Sequence, residues 1–173
     1  KKVFKDAYLM GNKIDCVIHF AGLKSVSESF SKKSEYWDVN VNGTKNLLQV
    51  MEDNKCFKIV FSSTASVYSL EAVSPIDEES KVEANNPYGE TKLEVENILK
   101  NKQKSNNYNW QIISLRYFNP IGAHPSGLFG EDPKDKPNNI FPLLCHSANQ
   151  NKKKLFIYGN DWPTYDGTGI RDY

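Results

Sequence analysis

Residues 13–22 are almost continuously apolar, β-branched at Ile14, Val17 and Ile18, and end in Ala21-Gly22. Such a run predicts a strand covered on both faces, as in a parallel sheet. Over residues 34–54, Tyr36, Val39, Val41, Leu47, Leu48, Val50 and Met51 recur at roughly helical intervals, and Asn54 is placed to end the helix. Asn40 and Asn42 interrupt that apolar face. Residues 57–68 begin as a second buried strand and switch abruptly to hydroxyls at Ser62, Ser63, Thr64 and Ser66. Residues 87–101 read as a helix, with Pro at the start, Val95, Ile98 and Leu99 on one side and charges opposite. Residues 110–118 form a third predicted strand.

This alternation predicts an α/β fold with right-handed crossovers and a doubly wound parallel sheet. Ligands of such sheets sit beyond the carboxyl ends of the strands, so Phe20-Ala21-Gly22, Ser62-Ser63-Thr64 and Tyr117-Phe118-Asn119 are expected to line one crevice. Residues 120–139, rich in Pro, Gly and Asp, read as a long functional loop. A short helix over 140–149, a basic turn over 152–154, a strand over 155–158 and a Gly-rich loop over 159–169 follow.

Composition narrows the class. The 173 residues suffice for one domain and not for two full ones. A formal net charge of +1, with neither half markedly basic or acidic, gives no electrostatic pointer to a nucleic-acid or membrane partner. Cys16, Cys56 and Cys145 lack CxxC or Cys/His ligand spacing and are read as reduced core thiols. No apolar run approaches the roughly 20 residues of a membrane span, so a cytoplasmic location is expected. The start at Lys1 and the stop directly after a Gly-rich loop read as an internal piece of a longer chain.

Tyr88 and Lys92 stand four apart on the predicted helix and so share a face. That spacing alone also fits a solvated helix surface. The strand ending in Ser62-Ser63-Thr64 supplies a hydroxyl for the phenol. A phenol titrates near about pH 10, and an ammonium nearby favours its ionised form. Tyr88 is therefore expected to take a proton from a sugar hydroxyl while hydride leaves the same carbon for a nicotinamide, with Lys92 tuning the phenol and anchoring the nicotinamide ribose.

The segment SSTASVY (62–68) followed by PYGETK (87–92) resembles the Ser/Thr and Tyr-xxx-Lys signature of the extended short-chain dehydrogenase/reductase superfamily. HFAGLKSVSES (19–29), DVNVNGT (38–44), LRYFNPIGAHPSG (115–127) with the following GEDP and PNN, and GNDWPTYDGTGIRDY (159–173) resemble the UDP-glucose 4-epimerases. The resemblance implies a Rossmann-like fold and NAD as cofactor. Residues 1–119 would be a partial NAD-binding domain without its first βα units, and 120–173 the truncated start of a smaller UDP-sugar-binding region. It makes Phe20, Ala21, Gly22, Leu23 and Lys24 a cofactor-contacting turn, puts Asn40 near the same cofactor and lays Phe118 on the nicotinamide side. Thr64 would bond the sugar 4-hydroxyl beside Tyr88, with Ala65 and Ser66 lining the sugar pocket. Asn139 and Arg171 would hold the UDP diphosphate, a role that suits a guanidinium fork on chemical grounds. Phe156 and Tyr158 would lie near the uracil, and the whole protein would be a homodimer.

Simpler readings stand beside these. Phe20 and Phe118 suit core aromatics, Asn40 suits a half-buried amide satisfying backbone, and His19 suits a hydrogen-bonded strand histidine. His124 has no His or Cys at ligand spacing, and no metal site is expected. Ser27 and Ser69 replace glycines usual in the epimerases, a change that matters where φ is positive.

Ala65 and Ser66 follow Thr64 where the related sugar dehydratases carry an acidic pair, so dehydration is not expected. What remains is reversible oxidation at one carbon, interconverting UDP-glucose and UDP-galactose. Two alternatives stay open: a 4-epimerase of another UDP sugar (an N-acetylhexosamine or a pentose), and a non-catalytic nucleotide-sugar binding protein. No GxGxxG or GxxGxxG occurs, so about 60 residues are expected ahead of Lys1 to supply the pyrophosphate turn and the ribose-binding acid. Residues that gauge sugar size are expected beyond Tyr173. On its own, this stretch is expected to be inactive.

Overall fold

Among the described residues, three strands pair in parallel in sequence order: β1 (Val17–His19), β2 (Lys58–Thr64) and β3 (Gln111–Tyr117). The computed structural model describes residues 1–105, 108–131, 139–149, 155–157 and 159–172. The register sets Val17 beside Ile59 and Ile59 beside Ile112, so side chains two apart fall on one face of the sheet.

The predicted helix over 34–54 is one continuous run with an irregular centre. α3 (Lys33–Tyr36) passes into a π-helical segment, Trp37–Asn42, which passes into α4 (Gly43–Asp53), and the junction residues all keep right-handed helical φ/ψ. A π segment shifts the phase of the helix face; here both Asn40 and Val41 are buried. α5 (Pro87–Lys104) runs three residues beyond expectation, with Lys102 and Lys104 in its last turn, where cations offset the helix dipole. Its start is fixed by Pro87 at the first helical position and by Asn86, whose Oδ1 accepts the Gly89 N–H at 2.8 Å. Gly89 is required there. A Cβ at this position would stand 2.6 Å from the Ser66 carbonyl oxygen.

Two helices were not foreseen. α1 (Lys2–Leu9) has no side-chain cap and no buried residue, so the sequence offered little signal. α2 (Val26–Ser31) did carry one: Ser25 Oγ accepts the Glu28 N–H at 3.3 Å, half of a capping box. The strand expected over 13–22 shrinks to the three residues that pair with β2. That expected over 155–158 is not formed at Leu155–Ile157, which have no strand partner among the described residues; Tyr158 and the basic run 152–154 lie outside the described residues.

The core joins Val41, Leu48 and Met51 to Cys56, Ile59, Phe61 and Trp110, and to Val95 and Leu99 of α5. Full burial of each large side chain contributes about 1.5–3 kcal/mol. α4 and α5 both lie on the face that carries Ile59 and Phe61. Ile18 and Ile113, on the other face, are 67% and 57% exposed. Among the described residues the sheet is thus covered on one face rather than the expected two; a run of apolar residues reveals its own character and not its partners. Of the three thiols only Cys56 is a core residue, and Cys16 and Cys145 are exposed, against the core placement expected for all three. Ser27 and Ser69 cause no backbone strain, because the non-glycine residue with positive φ among those described is Lys55.

The chain divides into two compact units, Lys1–Tyr117 and Phe118–Tyr173. The second contains α6 (Ile140–Asn149), as expected, and a turn in which Asp166 Oδ1 accepts the Thr168 N–H at 3.0 Å. Among the described residues no helix is long and apolar enough to cross a membrane, and no group of His, Cys, Asp and Glu is placed to hold a metal.

Candidate active site

The carboxyl end of β2 and the first two turns of α5 bring three predicted residues together. Lys92, 5% exposed, donates from Nζ to the Ser62 carbonyl at 2.9 Å. The same ammonium stands 4.9 Å from the Phe61 ring centroid and 5.9 Å from that of Tyr88. Burial lowers its pKa from 10.5 to about 8, so it is still charged near neutrality. Ser62 O is its hydrogen-bond acceptor among the described residues, and an ammonium has three N–H groups. Donor capacity is left over at a nearly closed site.

Tyr88 is half-buried, and its backbone N–H donates to the buried Ser29 Oγ at 3.2 Å. The Thr64 hydroxyl is the neighbouring group that favours the Tyr88 phenolate, and Thr64 Oγ1 accepts the Ser66 N–H at 3.2 Å. The ionisation expected for Tyr88 is not met. Burial pushes the phenol above its ordinary value, with the Thr64 hydroxyl pulling the other way. Lys92 lies over the face of the ring and does not reverse the desolvation. At neutral pH Tyr88 therefore holds its proton.

The predicted cofactor turn follows β1. Ala21, Gly22 and Lys24 are exposed, and Phe20, 58% exposed, lies against Tyr117 with ring centroids 6.0 Å apart, so it is no core aromatic. Asn40 clamps the turn: Oδ1 accepts the Leu23 N–H at 2.8 Å, and Nδ2 donates to Leu23 O at 3.0 Å and to Thr91 Oγ1 at 3.1 Å. The Asn40 amide is spent within the protein, where it holds the turn in shape. A Cβ on Gly22 would stand 2.9 Å from Asn40 Oδ1 and 3.7 Å from Lys92 Nζ, which shows how closely this backbone approaches Lys92. Behind it, Thr44 donates to Asn40 O at 2.6 Å and so must accept from His19 Nε2, 2.9 Å away. His19 is the hydrogen-bonded strand histidine its setting suggested; burial first and Lys92 second lower its pKa.

Ala65 and Ser66 sit half-buried in a single 3-10 turn, Ala65–Val67, directly after Thr64. The other predicted residues belong to the second unit. Phe118 is 43% and Phe156 77% exposed, and Asn139 and Arg171 are exposed. Asn139 O accepts the Leu143 N–H at 3.2 Å at the start of α6. Tyr158 lies outside the described residues.

The sequence reading missed a second buried group. Glu96, 2% exposed, accepts from Ser63 Oγ at 2.6 Å and from Arg116 Nε and Nη2 at 3.0 and 2.7 Å. Burial alone would raise the Glu96 pKa, but Arg116 and Ser63 hold it below the usual carboxylate range. A signal existed, because Glu96 falls eight after Tyr88 and four after Lys92 on the same helical stripe.

A parallel α/β sheet whose carboxyl edge carries Thr64, Tyr88 and Lys92 is the arrangement of the short-chain dehydrogenase/reductase class. The chain belongs to the NAD dependent epimerase/dehydratase family, which it matches over residues 4–173. It is 53% identical over 161 residues to UDP-glucose 4-epimerase 2 of Oryza sativa subsp. japonica, covering 93% of this chain and 39% of that protein. To the UDP-glucose 4-epimerase of Bacillus subtilis (strain 168) it is 48% identical over 168 residues, covering 97% and 49%. The crystal structure of UDP-glucose 4-epimerase from Bifidobacterium longum in complex with NAD+ and UDP superposes with a TM-score of 0.88 at 46% identity, covering all of this chain and 52% of that one. The chain thus spans about half the length of the relatives it matches.

The residues present fit the ribose side of NAD. The exposed Gly22 backbone and the spare Lys92 donors converge at the carboxyl edge of the sheet, where a ribose diol would accept from Lys92. The glycine-rich turn for the pyrophosphate is not in this sequence.

Proposed function

We propose that this chain carries the catalytic pair of a UDP-hexose 4-epimerase that interconverts UDP-glucose and UDP-galactose through a 4-keto sugar. The observation that carries the proposal is the placement of the Lys92 ammonium on Ser62 O and 5.9 Å from the Tyr88 ring at the end of β2, where Thr64 is followed by Ala65 and Ser66. A single phenol moves one proton, and the two positions after Thr64 supply no second acid or base for dehydration. NAD, when bound, supplies the hydride acceptor and a positive charge that favours the phenolate. Once deprotonated, Tyr88 Oη takes the proton of the sugar 4-hydroxyl as the C4–H bond breaks, and returns it to the same oxygen when that bond re-forms on the opposite face. Thr64 orients both oxygens, and the charge on Lys92 opposes the burial that keeps Tyr88 protonated.

The proposal extends to Phe20–Lys24 and Phe118 as cofactor contacts, to Asn139 and Arg171 as diphosphate ligands, and to Phe156 and Tyr158 at the uracil. Residues 1–119 would then serve the cofactor and 120–173 begin the UDP-sugar region. The whole protein would act as a cytoplasmic homodimer in galactose metabolism. The names of the relatives support the substrate class. Purification of the intact protein should yield bound NAD, and incubation with UDP-galactose should produce UDP-glucose. Turnover of UDP-N-acetylhexosamines or UDP-pentoses alone would reassign the sugar; bound nucleotide sugar without turnover of any would leave a binding protein.

A further inference from the structure

α5 meets the end of β2 at two points four residues apart: Lys92 on the Ser62 carbonyl, and Glu96 on the Ser63 hydroxyl. The next residue of the strand is Thr64, whose hydroxyl favours the Tyr88 phenolate. Glu96 also takes two hydrogen bonds from Arg116 of β3. The Arg116 guanidinium lies 4.8 Å from the Tyr68 ring centroid and donates to Glu78 O at 3.3 Å, so it also reaches the segment between β2 and α5.

We propose that Ser63, Glu96 and Arg116 are positioning residues that set the Thr64–Tyr88 contact. A buried ion pair is a poor means of stabilising a fold, since desolvation consumes most of its attraction. It is an effective means of fixing register, because short charge-assisted hydrogen bonds tolerate little displacement. With Lys92 and Glu96 one turn apart, the two grips fix both the rotation of α5 and its position along the strand. A slip of even about 1 Å would part Tyr88 from Thr64, a misplacement that can cost about 100-fold in rate. This role rests on the acid–base reading of Tyr88 above.

The test uses the intact protein labelled with 3-fluorotyrosine, the Tyr88 resonance being assigned by its loss in Tyr88→Phe. The variants are Glu96→Gln and Ser63→Ala; the second leaves the Glu96–Arg116 pair in place and so folds even where Glu96→Gln, with an unpaired buried guanidinium, does not. Among the described residues, the titratable groups facing Tyr88 are Lys92 on its own helix and, through Lys92, His19 of β1. Neither is changed. Because the Thr64 hydroxyl favours the phenolate, the Tyr88 titration should move upward in both variants. The kcat for UDP-galactose should fall about tenfold to 100-fold with KM within about twofold. A lower Tm with an unmoved Tyr88 titration and unchanged kcat would overturn the proposal and leave the network a structural strut. Absence of epimerase activity in the unsubstituted protein would sink the functional reading alone, since the fluorine titration still decides whether the network positions Tyr88.

Discussion

Replacing Lys92 with Met should stabilise the protein near neutral pH while removing the group proposed to anchor the ribose. The ammonium is 5% exposed, and burial lowers its pKa from 10.5 to about 8. At 1.36 kcal/mol per pKa unit, keeping that charge in the folded state at pH 7 costs about 3 kcal/mol. Met fills a similar volume without the charge but forfeits the bond to Ser62 O, worth about 1 kcal/mol. The net gain is about 2 kcal/mol at pH 7. The sign depends on pH. The folded pKa lies below the unfolded one, so between about 8 and 10.5 the unfolded chain binds more protons and the stability of the unsubstituted protein rises with pH. Lys92→Met lacks that rise, so its advantage should shrink from about pH 8 and turn into a deficit of about 1 kcal/mol above about pH 10.5. Urea unfolding of both proteins, free of nucleotide, from pH 7 upward would measure it. A variant less stable than the unsubstituted protein by the same amount at every pH would refute the desolvation argument.

Two further changes probe the surroundings of the pair. Asn40→Ala leaves the Leu23 N–H and C=O without their partner and should loosen the Phe20–Lys24 turn; the protein should then lose NAD on purification, read by absorbance of released nucleotide, while UDP binding by calorimetry is retained. Gly89→Ala forces a Cβ to within 2.6 Å of the Ser66 carbonyl. It should cost about 1–3 kcal/mol in thermal unfolding and lower kcat, because α5 and the turn carrying Ala65 and Ser66 must separate.

The parallel order, the long helices and the shared face of Tyr88 and Lys92 were legible because each rests on local pattern: apolar runs at β1 and β2, the Asn86-Pro87 start of α5, and the four-residue spacing of Tyr88 and Lys92. What was not legible depends on distant partners. Nothing in residues 13–22 says that Ile18 faces away from α4 and α5. The ionisation of Tyr88 was misjudged because the spacing shows that Lys92 is near and cannot show that its ammonium lies over the ring face while burial raises the phenol. Asn40 looked like a cofactor contact, and its amide proves committed to Leu23 and Thr91. The Glu96–Arg116 pair joins a helix to a strand twenty residues on, a pairing that helical periodicity does not encode.

The role of Tyr88 is tested most directly by the epimerisation rate of Tyr88→Phe in the intact protein, followed by NMR of the sugar C4 proton with UDP-galactose. Loss of the phenolic oxygen should lower turnover by about 100-fold or more, the range for a general acid–base group, with UDP-galactose binding within about twofold. Turnover within a few-fold of the unsubstituted protein would contradict the assignment of Tyr88 as the group that carries the proton.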